Sequence, residues 1–136
     1  MTQTSQQTTP IPATPNPVPA VLYVCVERSL MTPGLAAERA EEEGQSFAQA
    51  RGLTITEVIR DPYGEPDPCL RKGWRRVRAL AESGSVSVVI VRWPSAIAPD
   101  SSCELRHREI CWLQDEHGVS VRYSWEPLAG VGGDAK

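Results

Sequence analysis

Val86-Ser-Val-Val-Ile-Val-Arg-Trp-Pro-Ser-Ala-Ile-Ala-Pro99 is the stretch on which the fold turns. Six of the seven residues from Val86 to Arg92 are apolar or small, and β-branched residues dominate, with Gly84 before the run and Pro94 after it. A short apolar run with such boundaries reads as a strand buried on both faces. Strands of that kind lie inside parallel sheets, whose ligands gather just past the carboxyl ends. In this chain that place is Arg92 to Ala98.

Working upstream, Cys69–Ser83 has helical periodicity, with Trp74, Val77, Leu80 and Ala81 facing inward. The loop Asp61–Pro68 precedes it, carrying three prolines and a glycine in eight residues. Leu53–Arg60 (LTITEVIR) alternates and is β-rich, so it reads as a strand with one wetter face. Leu35–Arg51 reads as a helix with Leu35, Ala36, Ala40, Phe47 and Ala50 near one face, Glu38 and Glu41–Glu43 mostly in water, and Gly52 as its stop. Ala20–Val26 is a further apolar strand. Downstream, a helix is expected from about Ser101 to His117, with Asp100 or Ser101 as N-cap and Gly118 as C-cap. A last strand follows at Val119–Trp125. The order β-α-β-α-β-α-β implies an α/β three-layer sandwich with a mostly parallel central sheet and right-handed crossovers.

Residues 1–19 are rich in Thr, Gln and Pro and nearly free of aliphatics, which predicts a disordered tail of polyproline II character. The domain is expected over 20–128, with a frayed end at 129–136. At 136 residues the chain fits one domain, and its net charge of −3 gives no global pull toward nucleic acid. No apolar run approaches the roughly 18 residues of a membrane span. The four cysteines form no CxxC pair, and no secretory leader opens the chain. Reduced thiols in a cytoplasmic protein are the expectation, with no cofactor.

Three constellations carry chemical meaning. Arg71, Lys72, Arg75, Arg76 and Arg78 place five cations in eight residues, and helical spacing runs Arg71, Arg75 and Arg78 down one side. This is the best candidate for contact with a DNA backbone; the alternative is a solvated face pairing with the acidic Glu41–Glu43 helix or with a partner. Cys103, His107 and Cys111 recur every four residues. At about 1.5 Å rise per residue the two cysteines are about 12 Å apart, too far to share one zinc or one disulfide. The reading is therefore buried thiols beside Ile110 and no metal, with a two-residue half-site completed by a partner as the alternative. Leu105 and Trp112 lie opposite that stripe, marking either a partner surface, including a homodimer, or packing under the C-terminal segment.

The ordered part, roughly Val21 to Trp125, resembles the catalytic domain of the serine recombinases, the resolvase/invertase family. The resemblance rests on the opening Tyr23-x-x-Val26 strand, the strand ending in Asp61, and Arg71-Lys72-Gly73-Trp74 opening a helix. It continues in the Gly84-Ser85-Val86 turn into a Val-rich strand, and in Glu116-His117-Gly118-Val119. It implies a resolvase-like fold and, for an intact site, strand exchange through a phosphoserine link with arginines activating the scissile phosphate. The family's Tyr-x-Arg-x-Ser motif, however, reads here Tyr23-Val24-Cys25-Val26-Glu27, so Cys25 stands for the arginine and Glu27 for the nucleophile. Its Asp-Arg-x-x-Arg falls on Pro94-Ser95-Ala96-Ile97-Ala98, and a loop serine falls near Gly64. Of the family's site only Asp61 and Arg71 remain. The residues after Trp125 hold neither a long dimer helix nor a helix-turn-helix module.

Attack on a phosphodiester needs a nucleophile and cations for the charge developing on oxygen. A carboxylate at 27 repels phosphate, and each lost donor costs about 2.7–4 kcal/mol. The expectation is a domain with no catalytic residues that associates with duplex DNA or with a recombinase. A stand-alone protein-interaction module is the alternative. A third is an active recombinase-like enzyme with a rebuilt site, using Ser29 or Ser95, or Mg²⁺ on Glu27, Asp61 and Asp100.

Overall fold

Four parallel strands form one sheet in the computed structural model, which describes residues 17–25 and 35–125. The strands are β1 (Val18–Val24), β2 (Leu53–Arg60), β3 (Val88–Val91) and β4 (Ser120–Tyr123). Their order across the sheet is β2-β1-β3-β4, every neighbouring pair parallel. The helices between them are α1 (Leu35–Arg51), α2 (Lys72–Glu82) and α3 (Cys103–Cys111). The expected α/β sandwich is therefore the observed one. The tail over 1–16, Glu27 and Ser29, and the end at 129–136 lie outside the described residues.

Two apolar layers sit on the two faces of the sheet. Val21, Tyr23, Cys25, Val89, Val91 and Val121 pack with Trp74, Val77, Leu80 and Ala81 of α2, and Ile110 and Trp112 join from the third helical segment. Alternate residues of the same strands, Ala20, Leu22, Val24, Val88 and Ile90, pack with Ala40, Phe47 and Ala48 of α1. This is the period-2 alternation of strands covered on both sides. Gly44 lets α1 come down onto β1, because a Cβ there would run into the Leu22 side chain.

Several boundaries differ from the sequence reading. β1 begins at Val18, since Val18 and Pro19 already pair with Leu53 and Thr54. The central strand is only Val88–Val91; Val86 is buried but Ser87 bonds across to Pro19 and Ser120 instead. A separate 3₁₀ turn, Pro68–Leu70, precedes α2, because Pro68 opens a turn that Asp67 caps. The expected helix 101–117 breaks into a 3₁₀ turn (Asp100–Ser102), α3 and a π turn at Trp112–Glu116. On α1, Leu35 and Ala50 are exposed, and the helix seats itself by Ala40, Gly44, Phe47 and Ala48. Gly52, Gly84 and Gly118 have positive φ and end their helices as expected.

Candidate functional site

The switch in strand order falls between β1 and β3, so the carboxyl ends of the strands define the place where chemistry belongs. Cys25 follows β1, Asp61 follows β2, Arg92–Ala98 follows β3, and Ser124 and Trp125 follow β4.

Asp61 is buried and fully engaged. Its Oδ1 accepts from the Gly73 backbone N–H at 2.7 Å, and its Oδ2 from the Trp74 N–H at 2.9 Å and the Tyr23 hydroxyl at 2.6 Å. Gly73 and Trp74 stand in the first turn of α2, whose own N-cap residue, Arg71, makes no side-chain capping bond. Asp61 thus caps α2 from the end of a different element, placing a carboxylate where free N–H groups and the helix dipole favour one. Gly73 follows from this. A Cβ there would lie 2.6–2.7 Å from the Asp61 carboxylate.

Arg71 is buried beside it, 6% exposed. It donates to the Tyr23 hydroxyl at 3.2 Å, to the Ala96 carbonyl at 2.8 Å and, through Nε, to the Glu65 carbonyl at 2.8 Å. Tyr23 stands edge-on to Trp74 at 4.9 Å between ring centroids. Burial pushes the Tyr23 hydroxyl's pKa far above its ordinary value, and burial raises that of the Cys25 thiol. Both are therefore neutral at physiological pH. Cys25 Sγ lies 3.8 Å from the Pro62 carbonyl.

The loop after β3 is held by its backbone. Arg71 grips the Ala96 carbonyl, and Arg106 grips the Ala98 carbonyl through Nε and Nη2 at 3.1 and 2.7 Å, while also pairing with Asp100. Pro94–Ala96 forms a 3₁₀ turn, Ala98 is buried and Ser95 half-buried. Arg92, at the end of β3, pairs with Glu43 of α1 at 3.0 Å. Its guanidinium lies 4.5 Å from the Trp93 ring centre and 5.0 Å from that of Trp125.

Of the five cations expected to share a face, the structure leaves three at the surface. Lys72, Arg75 and Arg76 are exposed, and Arg71 is buried. Arg78 lies 3.7 Å over the Trp112 ring and bonds Glu109 at 2.5 Å. Arg76 pairs with Glu57 of β2 rather than with the acidic run of α1, whose Glu41 and Glu43 pair with Arg60 and Arg92. Gly64 lies in the exposed loop 62–66 with a φ of 143°.

Two expectations on the last helix are corrected. Cys103 is exposed and Cys111 half-buried, so the thiols do not line the core. Trp112 packs against the same layer as Ile110, and Leu105 is half-buried, so the two stripes are not opposed. Glu109 and Leu113, four residues apart and both fully buried, define the inward line of this segment, and Ile110 and Trp112 flank it on either side.

Sequence reasoning also missed Glu109, which is fully buried. It accepts from Trp74 Nε1 at 2.8 Å, Arg78 at 2.5 Å, Arg108 Nε at 2.8 Å and the Cys69 thiol at 3.2 Å. Burial alone would raise its pKa, but these four donors outweigh burial and hold the carboxyl below the usual glutamate range. The signal available was a glutamate in a helix with arginines before it and on α2, which many solvated helices share.

No protein-family model and no curated protein sequence matches the chain. Solved structures do match. The C-terminal catalytic domain of ISC1926 TnpA, an IS607-like serine recombinase, aligns with a TM-score of 0.64 at 24% identity, covering 79% of this chain and 70% of the other. The N-terminal catalytic domain of TP901-1 integrase aligns with 0.65 at 13% identity, covering 79% and 78%. A serine recombinase from Sulfolobus solfataricus aligns with 0.51 at 17%, covering 76% and 68%. The fold is that of a serine recombinase catalytic domain. Within this recombinase fold, Asp61 and Arg71 are buried braces of the corner between β1, β2 and α2.

Proposed function

We propose that this recombinase-fold domain performs no strand cleavage and binds duplex DNA through the exposed start of α2. The observation that carries the reading is Arg71. The arginine that matches a family site residue is buried, and its donors go to Tyr23, Ala96 and Glu65 rather than outward to a phosphate. Cys25, a neutral buried thiol, occupies the place of a second family arginine. Transfer of a phosphoryl group without such cations forfeits the charge stabilisation on which it depends. Lys72 and Arg75 nevertheless present exposed cations on the first turns of α2, beside Arg76 in its pair with Glu57. The recombinases and integrase that share the fold make DNA the natural ligand to try.

The test is retention of supercoiled and linear duplex DNA at low and physiological salt, followed by denaturing gels to trap covalent adducts. The expected result is binding that weakens steeply with salt, no adduct, and loss of binding in the double variant Lys72→Glu, Arg75→Glu. A covalent adduct would overturn the reading.

Failure to bind DNA at low salt would favour a protein-interaction module. One observation supports that alternative. The open edge of β2 borders a groove of about 780 Å³ flanked by two exposed apolar side chains, Tyr63 at 50% and Leu70 at 60% exposure.

A further inference from the structure

The solvent side of α3 repeats ligand-type residues every four positions, Cys103, His107 and Cys111, and none of them serves the corner described above. Cys111 Sγ lies 3.4 Å from His107 Nε2. One tetrahedral zinc, bonded to sulfur at about 2.3 Å and to nitrogen at about 2.0–2.1 Å, sets those two ligand atoms about 3.5 Å apart. The pair already stands at the separation a shared metal requires, on a helix that fixes it. His107 is exposed and Cys111 half-buried, so an ion can reach both. Arg108, the cation next to His107, is drawn to the other side by Asp67 and Glu109.

Two ligands do not make a structural zinc site, which takes four. Among the described residues no three histidine, cysteine or acidic side chains gather where one ion could join them. Cys103 stands about 12 Å from Cys111 along the helix, too far to share an ion with it. A twofold axis supplies what one chain lacks, since it presents every residue twice.

We propose that His107 and Cys111 form half of a zinc site, completed by the same pair on a second copy of this chain, which clamps two α3 helices together. Each Cys111 gives up its thiol proton on binding, and the two thiolates balance the charge of the ion. The inference is independent of DNA binding.

The experiment uses the reduced full chain, with Co²⁺ as spectroscopic probe, Zn²⁺ as clamp, and light scattering for mass. The expected result is one ion per two chains, a thiolate-to-cobalt charge-transfer band, and a doubling of mass that EDTA reverses. Cys111→Ser and His107→Gln each weaken binding at least tenfold and leave the protein monomeric. Cys103→Ser binds as the parent does. Circular dichroism checks that these surface variants keep their helices. A mass unchanged by Zn²⁺, one ion bound per chain, or doubling that survives Cys111→Ser would each overturn the proposal.

Discussion

Asp61 and Glu109 are two buried carboxylates that both bond Trp74, the first through its backbone N–H and the second through its indole. They are stabilised by different means. Asp61 receives two helix N–H groups and a tyrosine hydroxyl, so α2 itself supplies its positive field. Glu109 is answered by the guanidinium groups of Arg78 and Arg108, with Trp74 and Cys69 completing its shell. The difference teaches where each anion's partner is encoded. Asp61 depends on a backbone position and tolerates no bulk at Gly73, whereas Glu109 depends on side chains drawn from α2, α3 and the 3₁₀ turn before α2.

Three substitutions test that contrast, in falling order of expected effect. Asp61→Ala removes the cap of α2 and strands the buried Tyr23 hydroxyl and the N–H groups of Gly73 and Trp74. A lost cap costs about 0.5–2 kcal/mol and a buried donor left unmade about 1–3 kcal/mol. The expected loss is about 3 kcal/mol or more, read from urea unfolding.

Glu109→Gln retains an oxygen for Trp74 but leaves Arg78 without its carboxylate and Arg108 with Asp67 alone, at an expected cost of about 1.5–3 kcal/mol near neutral pH. Its pH dependence is the sharper readout. The folded pKa of Glu109 lies below its unfolded value, so its stabilisation is present above about pH 4.3 and is lost as pH falls through the folded pKa. The parent's acid limb should therefore be steeper than that of Glu109→Gln. Parallel limbs would show that Glu109 does not carry the difference.

Gly73→Ala is expected to cost about 1–3 kcal/mol, because the new methyl meets the Asp61 carboxylate and something must shift. In an Asp61→Ala background most of that cost should disappear, since the obstructing group is gone. A Gly73→Ala penalty that is the same in both backgrounds would locate the strain in the helix backbone instead.

Much of this architecture is legible in the chain. Leu35–Arg51 and Leu53–Arg60 read true to the residue because their periodicities change abruptly at Gly52, whose φ of 73° enforces the break. The inward face of α2 is equally plain. The third helical segment reads poorly, because an expected 3.6-residue period runs across a π turn and because a charged residue, Glu109, occupies a core position. Simple hydrophobic patterning has no sign for an acid whose arginine partners come from α2 and from the adjacent residue. At the site, the sequence locates Asp61 and Arg71 but not their work. Cation counting treats Arg71 as one of five surface charges, and only the fold reveals that it faces inward onto carbonyls.

Asp61 caps α2, Gly73 makes room for that cap, and Arg71 ties β1 to the loop after β3. Each has work in the fold itself, so a change at any one of them disturbs the carboxyl ends of β1 and β2 and the loop after β3 together. A substitution aimed at this corner therefore registers first as a change in stability, before any change in binding.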